Sequence, residues 1–469
     1  MAREFKYKSV RKALEKELLN SLQIGDYLPT LPELCRRFAV SSITMNRVLR
    51  ELAAAGRLER IKHCGTRICA PQQTNTSSNK RQLKILATQP IQWLFIRIME
   101  KKLLEFCRKE PNLELRCEYA SRAEQIERIY YNDYDFIFAD SIQIKLMLHN
   151  HTLRSRLKPL ADLPGLQIDP ADFVPAGIRL GSDPQKELYA LPLTCGPALQ
   201  MINRSENISV QIPELSNFYD AWFLQLTKLQ RSGQALMIMP LDYRYLEGIF
   251  RSYGSPLFNE DMQHINLDSR PVKEILKMLE YYLHNQQLGL LIADQRRVLD
   301  EIKKDVLKRT PLPLHIASMI NLKPGCGCQS FRIKTLPQAR QATSWLFWEG
   351  VAVGKNCDPA LAVSVLNYLQ SASVQSLLPG CTALPARLDM QKLALAAYEP
   401  EFPGLTAAYN TALSYADNPH PVPYAALNEL NRYLRTVICG VEPVNLHCKN
   451  VARRINAILR NARKANLTS

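Results

Sequence analysis

The chain has 469 residues and a formal net charge of +16 at neutral pH. This length exceeds what one hydrophobic core supports, so we expect two or three domains. The positive charge is concentrated at the beginning, since residues 1–81 hold 16 Lys plus Arg against 7 Asp plus Glu. Twelve scattered cysteines without framework spacing exclude a small disulfide-stapled domain, and no apolar run reaches the length of a membrane span.

The start of the chain has no secretory signal pattern. Its first basic residues lead into an amphipathic helix, predicted over residues 7–22, and not into an apolar core with a cleavage site. Together with the cysteine usage, this predicts a protein of the reducing cytoplasm that makes no membrane contact.

Two further helices, residues 32–38 and 41–56, are predicted with a tight connection at residues 39–41. The apolar residues of the second recur at the spacing i, i+3, i+4 and i+7 and are Met45, Val48, Leu49 and Leu52. Ser41 is suited to cap this helix, and Gly56 is suited to end it. The opposite face carries groups that can bond base edges and phosphates in a DNA major groove; they belong to Thr44, Asn46, Arg47 and Arg50.

A wing is predicted after these helices. Two short strands, residues 58–61 and 67–69, are joined by a basic tip over residues 62–66, with a glycine at the turn. A helix-turn-helix followed by such a hairpin is an arrangement suited to duplex DNA.

Further residues accompany this pattern: Gly25, Asp26, Tyr27, Leu28, Pro29, Thr30, Glu33, Leu34, Val40, Ser41, Thr44, Leu49, Leu52, Gly56, Gly65 and Thr66. Because of these residues and their order, residues 7–70 resemble the winged-helix domain of the GntR family of bacterial transcriptional regulators. Ser42 and Asn46 stand where arginine is usual in that family, and His63 stands where the first wing glycine is usual. These departures leave the fold expectation in place and leave the operator sequence open.

The resemblance implies a homodimer that binds a two-fold symmetric operator in double-stranded DNA. The half-sites of such an operator lie about one helical turn, roughly 34 Å, apart. The residues predicted to contact DNA are Thr30, Ser41, Ser42, Thr44, Asn46, Arg47, Arg50, Lys62, His63, Gly65 and Thr66.

Residues 71–81 are polar, with no apolar side chain beyond one proline, and are predicted to be a linker. Beyond them, short apolar strands alternate with helices, which favours an α/β architecture with largely parallel sheets. The main predicted strands are residues 84–87, 113–117, 135–140, 188–193, 198–203 and 350–353. The main predicted helices are residues 91–109, 270–286 and 358–371, with two more between residues 424 and 465.

Three local patterns stand in this order: residues 188–203 with Trp222, residues 254–259 with 267–269, and Gly380 with residues 384–385. Residues 82 to about 460 are thereby similar to the type II extracellular solute-binding proteins of ABC transporters, in particular the maltodextrin-binding group. The similarity implies two α/β lobes that close at a hinge on a sugar or similar small solute. The expected multidomain fold is a winged helix-turn-helix (α+β) at residues 1–70, a linker at 71–81, and a two-lobed α/β periplasmic-binding-protein-like (type II) sensor at 82–469.

Sugar sites use aromatic faces against the ring and a few polar groups against its hydroxyls. We predict ligand contacts from positions at strand ends and before the strand at residue 350, where the lobes of this family meet the ligand. The candidates are Trp93, Asp140, Ser141, Tyr243, Tyr245, Trp345, Trp348 and Glu349. Core packing is the alternative role for each aromatic residue.

Catalysis, a cofactor and a metal site are not expected. The sequence has no Gly-x-Ser-x-Gly elbow and no His-Glu-x-x-His, and Cys326 and Cys328 have no Cys/His pair at zinc spacing. Two alternatives to a solute-responsive regulator remain. The sensor unit could be a ligand-free dimerisation scaffold, or it could be a PLP-dependent aminotransferase-like unit, for which we find no loop with a Schiff-base lysine. The basic run at residues 449–464 is predicted to be a closing helix with a solvated side.

Overall fold

The computed structural model describes residues 10–11, 13–14, 28–29, 31–54, 58–61, 65–68, 80–88, 94–204, 210–230, 233, 236–259, 261–292, 314–317, 331–381, 383–418 and 420–467. Contacts divide the chain into two compact units, Met1–Arg81 and Gln82–Ser469. Most of the predicted linker lies outside the described residues, but Arg81 already belongs to a strand. None of the described helices is long and apolar enough to cross a bilayer.

The first unit contains the helices Leu31–Arg37 and Ser42–Ala54 and an antiparallel hairpin of β1 (Leu58–Ile61) and β2 (Gly65–Ile68). Ala39 has a φ of 50°, in the left-handed region, and so allows the sharp turn between the helices. The core is apolar and consists of Val10, Leu14, Leu28, Leu34, Met45, Val48, Leu49, Leu52 and Leu58. The second wing strand begins two residues earlier than predicted, so its first two residues pair with β1 and do not belong to the turn.

The first lobe of the second unit is built on a six-stranded sheet in the order β13-β12-β5-β3-β4, with β6 also paired to β12. Its strands are β3 (Arg81–Thr88), β4 (Leu113–Ala120), β5 (Phe136–Asp140), β6 (Ala190–Pro197), β12 (Ser344–Val353) and β13 (Ala416–Asp417). The helices are Leu94–Lys109, Arg122–Tyr131, Ser141–His149, His151–Arg154, Pro175–Gly181, Pro359–Leu369 and Ala372–Gln375. β5, β6 and β12 are buried along their whole length, because helices or strands cover both faces of the sheet.

The second lobe is built on a five-stranded sheet in the order β11-β7-β10-β8-β9. Its strands are β7 (Leu199–Asn203), β8 (Met237–Pro240), β9 (Gly289–Ile292), β10 (Leu314–Ala317) and β11 (Phe331–Thr335). The helices are Tyr219–Leu229, Tyr243–Ser252, Arg270–Leu279, Leu388–Tyr398, Leu405–Tyr415, Tyr424–Ile438 and Cys448–Leu467, and Glu280–Asn285 is a π-helical turn.

The chain crosses between the lobes where β6 runs into β7 and where β11 leads into β12, and β13 pairs in parallel with the start of β12 beside these crossings. We call this region the hinge. The Ser344 hydroxyl donates to the carbonyl oxygen of Ala198 and accepts its N–H, both at 3.0 Å. The Ala198 N–H also points to the Trp345 carbonyl oxygen at 3.1 Å. These short contacts tie two of the crossing segments together.

Two expectations about the sheets are corrected. Both sheets are mixed, because β5 and β6 run antiparallel to β12, and β10 and β11 run antiparallel to β7. β12 begins at Ser344, six residues before the predicted strand at residue 350. Trp345, Trp348 and Glu349 therefore lie within a central strand and not before it.

Candidate functional site

The Ser42–Ala54 helix buries its apolar stripe and exposes the opposite face. The Ser41 hydroxyl oxygen accepts the N–H of Thr44 at 3.3 Å, so Ser41 caps the helix as predicted. Arg47 is exposed and lies 3.7 Å from Glu51, and the exposed Arg50 donates from Nε to the carbonyl oxygen of Asn46 at 3.4 Å. Both guanidinium groups thus lie along the outer surface of this helix.

The other predicted DNA contacts have different positions. Ser42 is exposed at the first helical residue, and Thr44 and Asn46 are partly buried. Gly65 and Thr66 lie in β2, where the Thr66 carbonyl oxygen accepts the N–H of Leu28 at 2.8 Å. The remaining three lie outside the described residues and are Thr30, Lys62 and His63.

β12 separates the predicted ligand contacts onto its two faces, because side chains alternate along a strand. Trp348 lies in the core of the first lobe, where its indole N–H donates to the Gly177 carbonyl oxygen at 3.1 Å. Trp345 lies in the core of the second lobe, and its ring centroid is 5.4 Å from that of Tyr243. Tyr245 is also buried there, 5.4 Å from the ring of Phe347.

Asp140 and Glu349 are opposite each other in the β5–β12 ladder, so the structure brings these two predicted residues together. Asp140 caps the Ser141–His149 helix by accepting the N–H groups of Ile142 and Gln143 at 3.0 Å. Glu349 accepts the Thr194 hydroxyl at 2.8 Å. Both carboxylates and the adjacent Ser141 are buried. Trp93 lies outside the described residues.

A set of charged and polar side chains, which we call the interlobe network, lies beside Asp140. Its members are Arg122, Asp140, Asp242, Arg244 and Tyr424. A hydrogen bond joins the lobes there, and the charges of the first-lobe members act on Asp242 and Arg244 of the second lobe. Arg122 Nε lies 2.5 Å from Asp140 Oδ2, and the Tyr424 hydroxyl donates to Asp140 Oδ1 at 3.4 Å from the second lobe. Burial opposes ionisation of Asp242, but the Arg244 guanidinium, 2.8 Å away, outweighs it and holds the pKa of Asp242 below its usual value.

Sequence reasoning found only Asp140 of this network. Arg122 follows the end of β4 and Asp242 follows the end of β8, so the strand-end rule that selected Asp140 applies to both. Tyr424 has no such signal, because it begins a helix far along the chain.

A second set, the junction cluster, lies where β12 enters the second lobe. Its members are Tyr243, Glu247, Trp345, Asn418 and His420, all of them buried. Each has a buried polar atom with no hydrogen-bond partner among the described residues. Burial raises the pKa of Glu247 to about 8 and, with the charge of Arg251, lowers the pKa of His420 to about 4. Buried polar atoms are nearly always paired, so the cluster marks a place where a polar partner is expected.

Within the described parts of the chain, no group of three or more His, Cys, Asp or Glu side chains could hold a metal ion. Cys326 and Cys328 lie outside those parts. The side chains at the junction are instead suited to hydrogen bonding and to packing against rings.

Residues 6–68 match the family model of bacterial regulatory proteins, gntR family. These residues are a gntR-family domain. The match covers the helix-turn-helix and both wing strands, so the gntR-family domain occupies most of the first compact unit. No curated protein matches the sequence.

Solved structures match the rest of the chain in fold. An ABC substrate-binding protein from Listeria monocytogenes, in complex with cycloalternan, has a TM-score of 0.64 and 14% identity and covers 81% of this chain and 99% of its own. The sugar-binding protein MalE of Xanthomonas citri has a TM-score of 0.63 and 14% identity, with 82% and 98% covered. UgpB of Mycobacterium tuberculosis, in complex with glycerophosphocholine, has a TM-score of 0.64 and 15% identity, with 81% and 99% covered. The second unit has the two-lobed solute-binding fold.

Proposed function

We propose that this protein is a ligand-responsive transcriptional regulator of the cytoplasm. Its gntR-family domain binds duplex operator DNA as a homodimer, and its Gln82–Ser469 unit binds a sugar or a similar small polar solute. The observation that carries the proposal is the joining, in one chain, of a gntR-family domain with a two-lobed solute-binding fold.

The DNA side of the proposal rests on the exposed face of the Ser42–Ala54 helix. This face presents two arginines, and the capping residue Ser41 is also exposed. Arginine can bond guanine edges or phosphates. Operator symmetry matches that of a dimer, with half-sites roughly 34 Å apart.

The solute side rests on the lobe junction. The junction cluster offers phenol, carboxyl, indole, amide and imidazole groups whose buried polar atoms have no hydrogen-bond partner in the described part of the chain, and the rings of Tyr243 and Trp345 pack edge to face within it. Polyhydroxylated solutes need such a mixture of ring faces and polar groups. The solved structures of the same fold hold cycloalternan and glycerophosphocholine, so the proposed class is a small polar solute rich in hydroxyl or ester oxygens.

The DNA side is tested with Arg47→Ala. We expect specific binding, on an operator selected from a random duplex pool, to weaken by about 1–3 kcal/mol if Arg47 contacts a base. Fluorescence anisotropy measures it on the selected operator and on a random duplex. Equal losses on both would reduce Arg47 to a phosphate contact, and no binding by the parent protein to any duplex would overturn the proposal.

A specific observation favours a second candidate, a DNA-binding regulator whose sensor unit is a ligand-free scaffold. Asp140, the predicted solute contact at a strand end, is already bonded by two backbone N–H groups, Arg122 and Tyr424. A thermal-shift panel of mono- and oligosaccharides separates the two. A solute at a hundredfold excess over its dissociation constant adds about 2.7 kcal/mol of stability; a panel with no shift supports the scaffold. The aminotransferase alternative requires an aminotransferase-like fold in the second unit, and that unit has a solute-binding fold instead.

A further inference from the structure

The positive charge of the second unit is gathered at one place. Residues 82–423 hold 36 Lys plus Arg against 35 Asp plus Glu, a net charge of +1. Residues 424–469 hold 8 Lys plus Arg against 2 Asp plus Glu, a net charge of +6. Almost all the excess charge of this unit therefore lies on its last two helices and their termini.

The Cys448–Leu467 helix carries most of this charge, with six Lys or Arg and no Asp or Glu. The charges with described side chains at Lys449, Arg453, Arg460 and Arg463 are all exposed. At 3.6 residues per turn, these four positions fall within an arc of about 80° and extend along about 21 Å of the axis. We call this surface the basic stripe.

The basic stripe has few acidic neighbours. Glu429 pairs with Arg454 at 3.2 Å and with Arg432 at 2.8 Å, and Asp268 lies near Lys449. Among the residues that the structure describes, Arg453, Arg460 and Arg463 have no ion pair. An unneutralised row of guanidinium groups is suited to a regular row of phosphates.

The opposite face of the same helix is committed to the core of the second lobe. Val451, Ile455 and Leu459 are buried there together with residues of the Tyr424–Ile438 helix. A helix that binds a membrane surface inserts its apolar face among the lipids. Since this apolar face is already occupied, the stripe favours a rigid polyanion over a lipid surface.

We propose that the basic stripe is a second contact to duplex DNA, made to the phosphate backbone and independent of base sequence. The proposal rests on the DNA binding proposed above, because the gntR-family domain is what brings the duplex to this chain. Both units belong to one chain, so binding by the first raises the effective concentration of DNA at the second.

The test uses the full chain and the triple variant R453Q/R460Q/R463Q, in which glutamine keeps the helix propensity. Anisotropy on a random duplex of about 30 base pairs, between about 50 and 200 mM salt, gives the slope of log K against log salt. We expect the slope to fall by about 1 for each phosphate that the variant leaves without a cationic partner, hence by about 3. The variant R453K/R460K/R463K keeps the charges and should restore the slope.

The matched control is K101Q/R108Q/K109Q, which removes three exposed charges from the Leu94–Lys109 helix of the other lobe. If both triple glutamine variants lowered the salt slope equally, the effect of the basic stripe would be that of net charge alone, and the inference would be overturned. Loss of binding to phosphatidylglycerol vesicles with unchanged DNA binding would overturn it in favour of a membrane. If Arg47→Ala weakens DNA binding and the stripe variant does not, the inference fails while the proposed function stands.

Discussion

Glu247 is a fully buried acid on the Tyr243–Ser252 helix. Its Oε2 atom accepts the Leu257 N–H at 3.3 Å, and its Oε1 atom has no described partner. Burial raises the pKa of Glu247 from 4.5 to about 8, although the Leu257 N–H and the charge of Arg251 act in the opposite direction. The side chain is therefore protonated in the folded protein at neutral pH, and its hydroxyl is a donor at the junction.

This pKa predicts that stability falls as pH rises. Between the unfolded and folded pKa values the folded protein holds more protons than the unfolded chain, so raising the pH favours unfolding by up to about 1.4 kcal/mol per pH unit. His149 and His420, with pKa values lowered to about 4, act in the opposite direction below about pH 6.5. Glu247 therefore dominates the window from pH 6.5 to 8, and the buried thiols of Cys107 and Cys117, whose pKa values burial raises to about 11, add a smaller loss of stability near pH 8.

Glu247→Gln should remove this dependence. We expect the melting temperature of the wild type to fall from pH 6.5 to 8, and that of the variant to stay level in the same buffers. Differential scanning calorimetry of both proteins at four pH values measures the difference. A wild type whose stability is constant across the window would show that Glu247 is ionised in the fold.

β12 is the element that serves both lobes. Its alternate residues contribute Leu346 and Trp348 to the first core and Trp345 and Phe347 to the second. Gly350 is required here, because a Cβ atom would lie 2.4 Å from the Leu191 carbonyl oxygen and 2.5 Å from the Trp348 ring. The strand thus packs tightly on both faces at the hinge.

Trp348→Ala should destabilise the second unit by about 3–5 kcal/mol, since it opens a large cavity and removes the bond to Gly177. Urea unfolding measures this loss, and Trp348→Phe, which keeps most of the volume, should cost less. A variant with wild-type stability that no longer responds to solute would instead make Trp348 a ligand contact.

The sequence predicts local elements well where one period dominates. The stripe of Met45, Val48, Leu49 and Leu52 is buried as expected, because one helix face determines the core of a small domain. Only residues 350–353 of β12 are predicted as a strand, and residues 344–349 are not, since a strand buried on both faces has no alternation of polar and apolar residues. Without knowledge of the partner strands, Trp345 and Trp348 in this part of the chain are interpreted as ligand contacts. The pairing of β12 with β5 and β6 instead places both side chains in the cores.

Each lobe, at the scale of the whole molecule, is assembled from distant parts of the chain. The interlobe network combines residues 122, 140, 242, 244 and 424. Apart from 242 and 244, these residues are too far apart in the sequence for any spacing pattern to predict that they lie together. The order of strands and helices predicted the two-lobed fold, but the pairings that bring these residues together arise from tertiary packing. Hydrogen bonds between the lobes, such as that from the Tyr424 hydroxyl to Asp140, are contacts that a solute would have to alter in order to change the angle between the lobes.

Solute and operator DNA should therefore affect each other. If lobe closure alters how two copies of the chain pair, saturating solute changes operator affinity by a coupling free energy of about 1–3 kcal/mol. Operator DNA must then change solute affinity by the same factor. Paired titrations at fixed salt, by anisotropy for DNA and calorimetry for solute, measure both factors. Unequal factors, or no change in operator affinity, would contradict the regulatory coupling.

The position of β12 also has a consequence for synthesis on the ribosome. The gntR-family domain lies within the first 68 residues, whereas the first lobe lacks a central strand until Ser344 and its neighbours have left the exit tunnel. At roughly 5–20 residues per second, this interval lasts on the order of 15–55 s. The nascent chain accordingly carries its complete gntR-family domain well before the first lobe can be completed, so under the proposed function contact with DNA would precede any response to solute.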